Sequence, residues 1–110
     1  MAQTSPFVLI RQLESQLNGQ LMHYDVSDMA ARERRLVIGI RRDIVDARLD
    51  TRDYELSETR QEQLDNAKAA IERLEVLRSS ILALSEQNVF GAADVAQLTA
   101  KIEQIIVNLQ

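Results

Sequence analysis

The chain has no cysteine and no tryptophan, and it contains only one histidine, one proline and three glycines. The absence of cysteine excludes disulfide bonds, thiol catalysis and cysteine-ligated metal sites. The single histidine, His23, cannot supply the two Glu-x-x-His motifs that a di-iron site in a helical bundle requires. One histidine with nearby carboxylates is a weak signal for any other metal site. We therefore predict no metal and no cofactor.

Aromatic residues and lysine are also scarce, since the chain has two phenylalanines, two tyrosines and only Lys68 and Lys101 among its thirteen basic residues. Few aromatic side chains mean few platforms on which bases can stack. The net charge of −4 further disfavours general binding to nucleic acid or to an anionic membrane. No apolar run approaches the roughly 18 residues of a membrane span. The sequence predicts a single cytoplasmic domain over residues 1–110.

Catalytic motifs are equally sparse. The glycines lie twenty or more residues apart, so they cannot form a phosphate-binding loop. Four carboxylates are interleaved with arginines, which is typical of a solvated, salt-bridged face rather than of a catalytic pair. These carboxylates are Asp43, Asp46, Asp50 and Asp53. We predict that the protein is not an enzyme and acts on no small-molecule substrate.

Apolar residues recur at spacings of three and four along most of the chain, which predicts four helices. The predicted helices span about 5–22, 27–49, 57–87 and 92–109. Ser5 and Pro6 suit a helix start, and Ser27 is the predicted cap of the second helix. The segment DTRDYEL, 50–56, is charged and weakly periodic, so we interpret it as a connection.

The apolar faces of the four predicted helices define the expected core. Their members are Leu9, Ile10, Leu13, Leu17, Leu21 and Tyr24; Met29, Leu36, Val37, Ile40, Ile44 and Ala47; Leu64, Ala67, Ala70, Ile71, Leu74, Leu77, Ile81 and Leu84; and Val95, Leu98, Ile102, Ile105 and Leu109. This pattern predicts an all-α antiparallel bundle of four helices, or of three if the first is short. The third helix would be about 45 Å long and the fourth about 27 Å. Either a second subunit covers the overhang or the charged start of the third helix is less helical, and we expect a dimer.

The stretch RRLVIGIRR, 34–42, looks like a short strand in isolation, but the apolar periodicity continues well beyond it on both sides. Length therefore favours a helix. Gly39 then lies inside the helix, at a cost of about 1 kcal/mol relative to alanine. Two interpretations are open: the glycine is tolerated, or a neighbouring helix approaches closely there.

A second apolar stripe, opposite the core face of this helix, contains Ile38, Val45 and Leu49. Seven of the thirteen basic residues lie between positions 32 and 52, and several of them frame the stripe. Apolar residues framed by arginine resemble the core and rim of a protein–protein contact. Three interpretations compete: internal core packed on both sides, an interface with a second copy or an acidic partner, and a nucleic-acid contact.

We predict a non-enzymatic protein–protein interaction module, such as an adaptor, a chaperone-like subunit or a regulatory inhibitor, working as a homodimer. The predicted partner-binding residues are Arg34, Ile38, Arg41, Val45, Arg48 and Leu49. The alternative is a nucleic-acid-associated regulator that uses the arginine-rich face of the second helix. A metal protein or enzyme centred on His23 is a further alternative.

Overall fold

The fold is all-helical over the residues that the computed structural model describes, which are 4–22, 27, 29–86 and 90–110. These residues form four helices and no strand: α1 Pro6–Leu21, α2 Ala31–Glu55, α3 Arg60–Glu86 and α4 Ala92–Leu109. The predicted all-α bundle of four helices is thereby confirmed. None of the described helices combines the length and apolar character that crossing a bilayer demands.

Each helix packs against its neighbours in an antiparallel arrangement. The start of α1 lies against the end of α2, where the Phe7 backbone N–H donates to Glu55 Oε1 at 3.1 Å. It also lies against the end of α4, where the Asn108 amide donates to the Thr4 carbonyl at 3.1 Å. The α2–α3 interface is the most extensive, and α4 closes the bundle against α1 and α3. The core between the helices is almost entirely leucine, isoleucine, valine and alanine.

The second helix differs from its prediction at both ends. It begins at Ala31 with Ala30 as a cap that makes no side-chain hydrogen bond, so the predicted cap at Ser27 is wrong. It continues to Glu55, so the predicted connection over 50–56 is also wrong. The reason is that Thr51 lies on the core side and is buried, while its hydroxyl donates to the Arg48 carbonyl at 2.9 Å.

The other helix boundaries agree closely with the sequence pattern. Ser5 caps α1 as predicted, since its hydroxyl accepts from the Val8 N–H at 3.4 Å. Thr59 caps α3 in the same way by accepting from the Glu62 N–H at 3.1 Å, which places the start of α3 at Arg60 rather than at residue 57. The fourth helix spans the predicted 92–109. The turn predicted at 23–27 lies mostly outside the described residues.

The predicted core is confirmed at nearly every described position. Tyr24 lies outside the described residues, and Met29, Leu36 and Ile71 are partly buried against the core. The prediction that Leu64 belongs to the core is wrong, because its side chain is 48% exposed. Arg78 of α3 lies level with Glu103 of α4, and α4 continues only to residue 109. Leu64 therefore lies roughly two turns beyond the end of α4, so α4 does not cover it.

The long third helix needs no second subunit to match its length. It has 27 residues and α2 has 25, so both are about 40 Å long and run side by side. Gly39 marks no close approach either, because a Cβ built there would meet nothing within 4 Å outside the local helix backbone. The glycine is tolerated rather than required.

Candidate binding surface on the second helix

The side of α2 that faces α1 is fixed by an ion pair and a helix cap. Arg48 Nη1 donates to both carboxylate oxygens of Glu14, at 2.9 and 3.1 Å. At the end of α2, Glu55 accepts hydrogen bonds from the Ser5 hydroxyl and the Phe7 N–H at the start of α1. A carboxylate at this position also interacts favourably with the positive end of the α1 dipole. These contacts hold α2 in one rotation relative to α1.

The side of α2 that faces α3 is held by one arginine and three carboxylates. The Arg73 guanidinium on α3 lies 3.8 Å from Asp43, 3.6 Å from Asp46 and 3.8 Å from Asp50. The prediction that these carboxylates form a solvated face is wrong for Asp43, which is buried. Their principal counter-ion is an arginine from another helix, which spacing along α2 could not reveal.

Asp50 is the member of this cluster whose titration is altered. Burial raises the pKa of the Asp50 carboxyl above its ordinary value of 3.8, while Arg73 opposes the rise and the negative charges of Asp46 and Asp53 add to it. One of its oxygens, Oδ2, is buried and has no hydrogen-bond donor among the described residues, since Arg73 Nε stays 3.8 Å away. The ionised form of Asp50 is therefore poorly accommodated.

Replacing Asp50 with asparagine is expected to leave the protein at least as stable at pH 7. A pKa raised by folding stabilises the native state below the unfolded value of 3.8, and that stabilisation is lost as the pH rises through the folded value. The benefit of Asp50→Asn should thus grow from about pH 3.5 upwards in urea unfolding measured by circular dichroism. Glu75→Gln, at an exposed position on α3, controls for the loss of one charge. The prediction would be contradicted if the difference in stability between Asp50→Asn and the wild type were less favourable to the variant at pH 7 than at pH 4.

The face of α2 that points away from the bundle carries an uncovered apolar line. Ile38, Val45 and Leu49 are 53, 38 and 46% exposed, so the chain's own core does not bury them. Leu56 joins them and is 65% exposed. Its backbone at the helix end, with φ −91° and ψ 1°, keeps it close to helical geometry. We call these four residues the outer stripe.

Sequence reasoning misses Leu56 as a member of this candidate surface, because it interprets residues 50–56 as a connection. At 3.6 residues per turn, the 18 residues from Ile38 to Leu56 make five complete turns. Val45 and Leu49 deviate from the same line by only about 20°. This coincidence of spacing was visible in the sequence and would have identified Leu56 once the helix was extended.

The predicted arginine frame is only partly available for a partner. Arg34 and Arg41 are exposed beside the stripe, and Arg34 Nη2 donates to the Met29 carbonyl at 3.1 Å. Arg48 instead pairs with Glu14. On the other side of the stripe, Arg42 is exposed and lies 3.9 Å from its neighbour Asp43.

Charge is distributed unevenly along α2. Residues 31–42 contain five arginines and one glutamate, a net charge of +4, and residues 43–55 contain two arginines, four aspartates and one glutamate, a net charge of −3. The helix therefore has a basic half and an acidic half that meet between Arg42 and Asp43.

No protein-family model, curated protein or solved structure matches the chain. Function is therefore inferred from the surface itself. His23, the alternative metal or catalytic residue, lies outside the described residues, and the described residues contain no group of three potential ligands placed to hold a metal ion. Surface depressions on α1 and α3 are open and lined mainly by single helices.

Proposed function

We propose that the protein is a small helical binding module that associates with protein partners, and first of all with itself, through the outer face of α2. The exposed outer stripe carries this proposal. Four large apolar side chains lie in one line on a helix that is anchored on both flanks, so the surface is already formed before a partner binds. Preformed apolar anchors with a polar rim are typical of the centre of a protein interface.

One observation favours nucleic acid as a second candidate partner. The basic half of α2 exposes Arg32, Arg34, Arg35, Arg41 and Arg42. Such a complex would weaken steeply with salt because each phosphate contact releases counterions. The acidic half of the same helix and the net charge of −4 oppose it, and a complex with DNA or RNA that persists only at low salt would be its signature.

The test is the molar mass in solution of the wild type and of Ile38→Asp. We expect the wild type to have about twice the 12.5 kDa mass of the chain by size-exclusion chromatography with light scattering. Ile38→Asp is expected to be a folded monomer, because the change removes an apolar anchor and puts a strongly hydrated carboxylate in an apolar contact.

Val107→Asp is the matched control, since Val107 is also 53% exposed but lies on α4. It should remain a dimer, and circular dichroism should show unchanged helix content in both variants. A wild type that is monomeric at every concentration would refute self-association. A wild type dimer that survives Ile38→Asp would show that the outer stripe is not the contact.

A further inference from the structure

The outer stripe is symmetric about residue 47. Ile38 lies nine residues before this position and Leu56 nine residues after it, while Val45 and Leu49 lie two residues on either side. We infer that the partner is a second copy of this chain whose α2 packs antiparallel to the first, with the two-fold axis at the level of residue 47. This inference rests on the proposed function.

The two-fold symmetry places apolar side chains of one copy against apolar side chains of the other along the whole contact. Ile38 of one copy meets Leu56 of the other, and Val45 meets Leu49, so that all four stripe residues of each chain have an apolar partner. An isologous contact of this kind uses the same patch on both subunits. All four residues are exposed in the single chain, so association would remove them from water without unfolding any part of the bundle.

Electrostatics favours the antiparallel orientation over the parallel one. A parallel pair would set the two basic halves side by side, with Arg34 against Arg35 and Arg41 against Arg42 of the second copy. An antiparallel pair instead separates the arginines at the starts of the two helices and brings Arg42 of each copy near Asp53 of the other, the carboxylate of the acidic half that is not already directed at α3 or α1. Opposite charges across an interface fix its register and suppress the wrong arrangement.

The same two-fold axis determines which charged residues of the two copies face each other. Residues on one side of the stripe face residues on that same side in an antiparallel pair. Arg42 and Asp53 lie on one side, about 40° and 60° from the stripe, and at nearly equal distances from residue 47, so they pair between copies. On the other side Arg41 comes opposite Arg52 of the second copy, and this pair is repulsive.

The repulsion between Arg41 and Arg52 of the second copy can be removed by substitution, which should strengthen the dimer. The carboxylate introduced by Arg52→Glu would pair with Arg41 of the second copy in the antiparallel dimer, and two such pairs form per dimer. We expect the dimer dissociation constant to fall about fivefold at low salt, with the gain largely lost at about 0.5 M salt. In a parallel dimer the introduced carboxylate would instead lie against Asp53 and weaken association. Sedimentation equilibrium over a dilution series measures the constant directly.

Asp53→Arg is the complementary variant, because it removes the partner of Arg42 and should weaken the dimer by a similar factor. Tightening by Arg52→Glu together with weakening by Asp53→Arg supports the antiparallel dimer. Weakening by both variants overturns this orientation while leaving the proposed function intact, provided that Ile38→Asp still yields monomers. A dimer constant that neither variant changes also overturns it. A monomeric wild type refutes self-association itself, which distinguishes failure of the proposed function from failure of the orientation.

Discussion

Replacing Leu77 with alanine is expected to lower the free energy of unfolding by about 3 to 4 kcal/mol. Leu77 is fully buried in the middle of α3, among side chains contributed by the other helices. The truncation removes apolar contacts and leaves a cavity that rigid helix packing closes only in part. Urea unfolding followed by circular dichroism measures the change.

Leu82→Ala is the matched control for this prediction. It makes the same chemical change in the same helix, but Leu82 is exposed on the opposite side. We expect it to alter stability by no more than about 0.5 kcal/mol. Equal losses for the two variants would mean that the α3 face containing Leu77 is not the one that packs in the core.

Replacing Arg73 with methionine is expected to lower the free energy of unfolding, measured by urea unfolding at neutral pH, by about 2 kcal/mol. The change leaves buried Asp43 with only the exposed Arg42, 3.9 Å away, as a nearby cation, and it removes the charge that offsets the repulsion among the three carboxylates around Arg73. Breaking a fully buried pair costs roughly 3 to 5 kcal/mol, and the smaller figure allows for solvent screening, since the Arg73 side chain is 40% exposed. The loss should shrink on acidification, because protonated carboxyls no longer need the cation.

Arg78→Met provides the comparison on the same helix. Its ion pair with Glu103 is shorter, at 2.8 Å, but the Glu103 side chain is 59% exposed. We expect a loss below about 1 kcal/mol. If Arg78→Met lowered the stability more than Arg73→Met, the distance within each ion pair rather than its burial would determine how much the pair contributes to stability. If both variants were neutral, the carboxylate cluster on α2 would not depend on Arg73.

Local patterns predicted the helices well where apolar spacing and capping chemistry agreed. The start of α1 at Ser5 and Pro6 and the full extent of α4 are examples. The end of α2 was misjudged because Thr51 is polar and Asp50 and Asp53 surround it, although Thr51 lies on the core side. A buried threonine satisfies its hydroxyl within its own helix, so it can occupy a core position that a hydropathy pattern assigns to a turn.

The candidate surface was predictable in part. Helical periodicity placed Ile38, Val45 and Leu49 together and opposite the core, and the structure shows that the chain leaves them exposed. Periodicity could not decide between exposure and a second packing layer, because that depends on where the other helices lie. The pairing of Arg48 with Glu14 and of Arg73 with the α2 carboxylates joins residues about thirty positions apart, which only the tertiary arrangement establishes.

The two lysines lie on α3 and α4, whereas every basic residue of α2 is an arginine. Lys68 is exposed, and the Lys101 ammonium donates to the Gln12 amide oxygen across the α1–α4 contact. Amine-directed reagents, such as succinimidyl-ester fluorophores, biotin or chip-coupling chemistry, therefore attach to no side chain of α2. The chain can be immobilised or labelled through its amines while every side chain of the outer stripe and its arginine frame stays unmodified.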